Sequence, residues 1–511
     1  MSATSTTTTT LTQTESNNAS AAEQQPPQPT QLQQIIATIQ LSTVTLTASV
    51  INGLVTVGLP TITKDLPLPA SLSLWPSSVA SLATASTLLL AGSIADTVGP
   101  RWVQLVGSFA SGGLMVGQGL ARNGQELVVL RALQGVGLAL HLASSVSLLG
   151  LLLPPGRNIN LAFSCLGLSL PLGFSLGLVV GGVIIDTVGW RLGWYISGGM
   201  TLFVSVIGLW ALPRQSTAYE DPVLRRLATS VDWVGAALGS VSMALLCYLL
   251  AILSANPSRI KSAECIAILC ITILSLPAFI TWSHHQTQTE RPALIPNTLW
   301  TNRSFSSICA TVALSNGVLN ALELFASLFF QEIQSQSALQ ASLRILPSLI
   351  SGVTMNILVG LTIHRLPAAP LIFAATILCA LAPLLMALIH ATTTYWRNAF
   401  VAQVLQPLSF GTLYTVGLIV ITERFGAHTQ ALAGAVFNTA AQVGNALGLG
   451  VVQVVSTVVA ERHLTAGDGE ARALMNGYRA SFWTMFGAMV VCSVVGFWGL
   501  RGEGRVGVKR D

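Results

Sequence analysis

From about residue 36 to residue 500 the chain is a succession of long apolar blocks separated by short polar breaks. A run of roughly twenty apolar residues is long enough to cross a bilayer, and a helix satisfies its own backbone there. In chain order the blocks cover about 36–60, 75–95, 102–121, 126–153, 158–185 and 190–212. After a polar linker, Pro213 to Ser230, come 232–254 and 262–283. After a second, His284 to Arg303, come 304–330, 338–362, 370–391, 395–421, 428–459 and 479–500. The pattern predicts an all-α polytopic membrane protein with about fourteen transmembrane helices. An even number puts both termini on one side of the membrane.

Composition agrees with the pattern. Charged residues are 8% of the chain, against about 25% in soluble domains. Hydrophobic residues are 52%, and the formal net charge is only +5, spread among loops. That distribution gives no reason to expect nucleic acid as a partner. The seven cysteines, Cys165, Cys247, Cys265, Cys270, Cys309, Cys379 and Cys492, lie in or at the ends of apolar blocks. They show no metal spacing and no disulfide framework, and read as small packing residues.

The first 34 residues are Thr-, Gln-, Ser- and Pro-rich, with Thr6–Thr10 and a P-P-Q-P run at Pro26–Pro29. They bury too little apolar surface to fold and are expected to be a disordered tail without a cleavable signal peptide. With cytoplasmic termini, the inner loops hold Arg101, Arg157, Arg214, Arg225, Arg226, Arg291, Arg303, Arg365 and Arg424. The basic C-terminal tail, 501–511, joins that side. Basic residues favour the inside, so termini in the cytoplasm are expected. The sequon at Asn302 then falls in an inner loop and is expected to be unused.

Polar groups inside a bilayer are expensive and mark function or specific pairing. Arg131 lies within helix 4, and Gln134 and His141 fall broadly on its side of that helix. Arg131 reads either as a steadier of proton transfer or as a structural or snorkelling cation, and His141 as a proton relay or a bonded packing residue. Glu323 is the one acid placed deep in a span, and Asn316, Asn320 and Glu323 form a stripe on helix 9. Glu323 is a candidate coupling or substrate-binding carboxylate, or a neutral bonded acid lining the bundle. Asn438, Gln442 and Asn445 repeat the spacing on helix 13 and either line a cavity or bond neighbouring helices. Asn52 is the nearest polar group to the middle of helix 1. In helix 5, Gly173, Gly177 and Gly181, with Gly182 beside them, allow a second backbone to approach. That face is a packing seam or a seam on which two halves slide.

Several motifs resemble one family. Gly92 to Arg101, G-S-I-A-D-T-V-G-P-R, is similar to the loop between helices 2 and 3 of the major facilitator superfamily, at Gly92, Asp96, Gly99 and Arg101. Leu130-Arg131 with Gln134, Gly135 and Gly137 resembles its helix 4 motif, whose arginine the resemblance links to proton coupling. The helix 5 glycines resemble its antiporter motif, with Leu178 where that motif has proline. Trp190–Ile196, Val231–Gly235 and Gln430–Gly448 look like the fourteen-helix drug–proton antiporter branch in its fungal form.

The resemblance implies two six-helix bundles, 35–212 and 304–500, with extra helices 7 and 8 in the intervening 213–303. It implies a secondary transporter exporting a drug, toxin or secondary metabolite in exchange for protons, with the site near the midplane. Asp96 and Arg101 would gate, Arg131 would tune coupling, and Glu323 or His141 would carry the proton. A proton-coupled importer of a siderophore or nutrient fits the same fold. No Walker A motif occurs, so neither ATP nor another cofactor nor a metal is expected. No nucleophile–base constellation suggests an enzyme. The expected partners are protons, a small organic molecule and the lipid bilayer. The expected state is a monomer, multi-pass, in the plasma membrane.

Overall fold

Side-chain caps fix where the helices start. Thr30 accepts a hydrogen bond from the Gln33 N–H at 3.3 Å, and the Gln33 side chain accepts one from the Thr30 N–H at 3.1 Å. This capping box starts the first helix within the polar stretch that the sequence assigned to the tail. Asn123 caps the fourth helix through the Glu126 N–H at 2.8 Å. Between the second and third helices, Gly99 sits at φ 108°, where L side chains are strained, and Pro100 occupies the first helical position.

The computed structural model describes residues 30–66, 68, 75–153, 157–213, 222–362, 367–390, 392–425 and 427–501. The predicted tails at 1–29 and 502–511 lie outside the described residues. The helices are α1 (Gln31–Asp65), α2 (Trp75–Val98), α3 (Pro100–Leu120), α4 (Gly124–Leu152), α5 (Arg157–Thr187) and α6 (Arg191–Ala211). A short helix, Val223–Ser230, precedes α7 (Trp233–Ala255) and α8 (Ala263–Gln288). There follow α9 (Arg303–Leu328), α10 (Ala338–Thr362) and α11 (Ala368–Ala387). Then come α12 in two pieces (Ala399–Leu405 and Leu408–Arg424), α13 (Ala427–Thr465) and α14 (Glu470–Gly499). Among the described residues, twelve helices are long and apolar enough to cross a membrane. The two others of comparable length, α3 and α10, have 21 and 25 residues. In α3 the reason is visible: Gln104, Ser108, Ser111 and Gln118 are wholly buried, and the two glutamines bond side chains of α4.

The packing repeats itself. In the first half α1 packs on α5, α2 on α4, and α3 on α4 and α6. In the second half α9 packs on α13, α10 on α12, and α11 on α14. Each pairing in α1–α6 thus has its equivalent eight helices later. Between the halves, α7 touches both α2 and α13, with the Ser240 hydroxyl donating to the Ser86 carbonyl at 2.6 Å. Behind it α8 packs mainly on α7 and leaves most of its surface exposed, as a lipid-facing helix does. Asp232 ties this pair together. It caps α7 at the Gly235 N–H (2.8 Å) and accepts from the Trp282 indole of α8 (2.9 Å) and the Leu294 N–H (3.2 Å).

Candidate substrate and coupling site

In the first half, Arg131 is 1% exposed about two turns into α4. Its Nε donates to the Pro76 carbonyl at 2.9 Å, Nη1 to Gln134 Oε1 at 3.0 Å, and Nη2 to Asn52 Oδ1 at 2.6 Å. All three acceptors are neutral, so a cation is held in the bundle by amide and carbonyl dipoles. The cage has a second layer: Gln118 Nε2 donates to Gln134 Oε1 at 3.0 Å, and the Trp194 indole donates to Gln118 Oε1 at 2.6 Å. The Trp190–Ile196 motif is thereby explained as support for Arg131. Trp190 also donates to Asp65 at 2.8 Å, and Tyr195 to the Gly119 carbonyl at 2.8 Å.

His141, wholly buried and ten residues further along α4, does not join that cage. Its ring nitrogens bond Thr45 Oγ1 (2.8 Å) and the Gln104 side chain (2.7 Å). Ser144 closes the cluster through Gln104 Oε1 at 2.9 Å. Both nitrogens are held by neutral groups of α1 and α3.

In the second half, Asn316 donates to the Ala441 carbonyl of α13 at 2.7 Å, and Asn320 donates to the Asn316 carbonyl at 2.9 Å. Glu323, the third member of the stripe, is 9% exposed. Its carboxyl makes no hydrogen bond among the described residues. The helix 13 stripe divides. Asn438 accepts from the Tyr414 hydroxyl at 2.8 Å within its own half, whereas Asn445 donates to Ser81 of α2 at 2.7 Å across the halves. Gln442 is half-buried between them.

The helix 5 glycines form a seam, but chiefly inside one half. A Cβ on Gly173 would lie 2.3 Å from the Leu46 carbonyl oxygen, and one on Gly177 would lie 2.1 Å from that of Val50. On Gly181 it would lie 3.0 Å from Leu54 Cα. All three partners belong to α1. Gly53 of α1 reciprocates: a Cβ there would lie 2.1 Å from the Phe174 oxygen. Only Gly182 faces the other half, 2.9 Å from Leu339 Cα of α10. The reading of this stripe as a sliding surface between halves is corrected accordingly: backbone-to-backbone contact locks α1 to α5, since nothing but glycine fits there. Sequence reasoning missed the equivalent in the second half. There Gly444 would press on the Ala313 oxygen at 2.0 Å, and Gly448 on Gly317 Cα at 2.7 Å. Gly444 and Gly448, four apart, were the available signal.

In the loop motif, Asp96 is exposed at the end of α2, and Gly92 meets nothing within 4 Å. Arg101 donates to the Leu209 carbonyl of α6 at 2.7 Å, so it ties α3 to α6.

Three hydrogen bonds between the halves lie toward the end at which α1, α5 and α9 finish. Gln331, in the π-turn Phe329–Ile333 that follows α9, donates to the Val57 carbonyl at 3.0 Å. Asp186 accepts from the Leu339 N–H at 3.1 Å, and Ser81 accepts from Asn445. Val57 lies five residues past Asn52, and Gln331 eight past Glu323. At about 1.5 Å per residue, Asn52 and Glu323 sit roughly 7 and 12 Å below that contact.

Two pseudo-repeated helical halves, with buried polar groups beneath a contact between them, define a polytopic membrane transporter. The comparisons agree. The chain belongs to the Major Facilitator Superfamily, whose profile matches residues 41–449. It is 37% identical to "MFS-type transporter 1" of Pyricularia oryzae, covering 94% of this chain and 85% of that one. It is 25% identical to "Puromycin resistance protein pur8" of Streptomyces alboniger, over 87% of each. A bacterial homolog of the human lysosomal transporter Spinster, in an inward-facing and unoccupied conformation, superposes with a TM-score of 0.64 at 14% identity. That match covers 92% of this chain and 98% of the other and speaks to the fold alone.

Proposed function

We propose that the protein exports a small, fairly apolar organic compound, a toxic drug or a secondary metabolite, in exchange for protons. Its two bundles, 35–212 and 304–500, would expose one midplane site alternately to either side, with 213–303 supplying the linkers and the extra pair α7 and α8. The observation that carries this reading is Glu323, a nine-tenths buried carboxyl on α9 without a hydrogen-bond partner among the described residues. An acid so placed can exchange a proton with whichever side is open, while neighbouring amides hold a neutral cargo. Arg131, fixed by neutral partners, tunes that exchange by its charge. Gly92, Asp96, Gly99 and Arg101 form the gating loop on the cytoplasmic side. The protein acts as a monomer in the plasma membrane, and relatives that confer antibiotic resistance support the direction of transport.

Flux into proteoliposomes under an imposed pH step tests the assignment. Glu323→Gln is expected to retain downhill movement of cargo but to lose gradient-driven accumulation roughly tenfold or more. Its rate should become flat with pH, because no proton is exchanged at that position. Full accumulation with an unchanged pH profile in Glu323→Gln would remove Glu323 from the mechanism.

A further inference from the structure

The last two turns of α5 meet the start of α10 at two points four residues apart on α5. Gly182 lets α10 approach: a Cβ there would fall 2.6 Å from Ser342 Oγ and 2.9 Å from Leu339 Cα. One turn on, Asp186 Oδ2 accepts the Leu339 N–H at 3.1 Å. That N–H is one of the four at a helix start with no partner inside the helix. The sequence of α10 supplies only part of its own cap: the Ser337 hydroxyl takes the Gln340 N–H at 3.3 Å, and Gln340 Oε1 takes the Ser337 N–H at 3.4 Å. The Leu339 N–H is satisfied from the opposite half of the molecule. A carboxylate at a helix N-terminus also meets the positive end of the helix dipole.

We propose that Asp186 is a gating residue of the transport cycle, a lock between the halves that holds this side shut by capping α10. The lock can form only while α5 and α10 touch, and their close approach at Leu339 needs residue 182 to have no side chain. Opening this side must break a charge-assisted hydrogen bond and leave the Leu339 N–H to water, so Asp186 biases the two-state equilibrium toward closure. Gln331, bonded to the Val57 carbonyl, is a second and weaker tie on the same side, made by a neutral amide. The proposal rests on the alternating-access reading but not on export or on proton coupling.

Spin labels at the exposed positions Val183 and Leu343 report the α5–α10 separation in the purified, reconstituted full chain without any cargo. The expected result for Asp186→Ala is a population shift toward the longer distance of about fivefold or more. Asp186→Asn keeps an acceptor and loses the charge, so its distribution should fall between those of Ala and wild type. Gly182→Leu should push the pair apart in every molecule that folds. If Asp186→Ala and Asp186→Asn both leave the distribution as in wild type, the lock is disproved. If the distances shift but no compound is exported, the lock stands and the assignment of export falls.

Discussion

Gly177→Val is expected to be among the most damaging single changes in the chain, through assembly rather than chemistry. The first added carbon would already lie 2.1 Å from the Val50 carbonyl oxygen, and at the mirror position a Cβ on Gly53 would lie 2.1 Å from the Phe174 oxygen. Both obstacles are backbone, so no rotamer change relieves the clash and α1 must separate from α5. Overpacking that side chains absorb costs about 1–3 kcal/mol, and a rigid helix pair gives way less readily. The variant should lose its monodisperse peak in mild detergent or unfold many degrees below wild type. Gly199→Ala, where nothing lies within 4 Å, serves as the control and should behave as wild type. A normal unfolding midpoint for Gly177→Val would mean that α1 and α5 are not packed as described.

Arg131→Ala carries the second largest expected effect. It strips the donor from Asn52 Oδ1, takes one of two from Gln134 Oε1 and removes the side-chain bond to the Pro76 carbonyl, leaving a half-buried amide of α1 unsatisfied. Each unsatisfied buried group costs about 1–3 kcal/mol. Cargo flux should drop roughly a hundredfold, more than the loss of folded protein alone accounts for. Arg131→Lys keeps the charge but not the fork of donors, so one ammonium cannot hold three acceptors in that geometry. Its flux is expected between the two, with folded yield near wild type. Wild-type flux in Arg131→Ala, measured per folded molecule, would make the cage dispensable.

The helix layout was legible because lipid imposes one simple rule on the sequence, and blocks such as 304–330 and 479–500 obey it. Boundaries were less so. Gln31–Gln34 looks like tail, but Thr30 and Gln33 cap one another and pull it into α1. The glycine stripe announced a close approach without naming the partner, because spacing along one helix carries no information about which neighbour fills the groove. The same limit hid the Gly444–Gly448 seam, the tie of Arg101 to Leu209 and the pairing of Asn445 with Ser81. Arg131 and Asn52 were each visible as costly polar residues; that they bond one another depends on the packing of α1 against α4. Asp186, an acid at the end of α5, carries no motif that marks it in the sequence. Only tertiary contact with α10 gives it a task.

The central claim is that one midplane site is open to a single side at a time. Asn320→Cys, in a background with the seven native cysteines replaced, places a thiol beside Glu323 on the α9 stripe. Reaction with a membrane-impermeant thiol reagent is then measured from each side of sealed vesicles, with the proton gradient in either direction. The account predicts labelling from one side under one gradient and from the other when the gradient is reversed. Equal labelling from both sides under both gradients would describe a channel and contradict it.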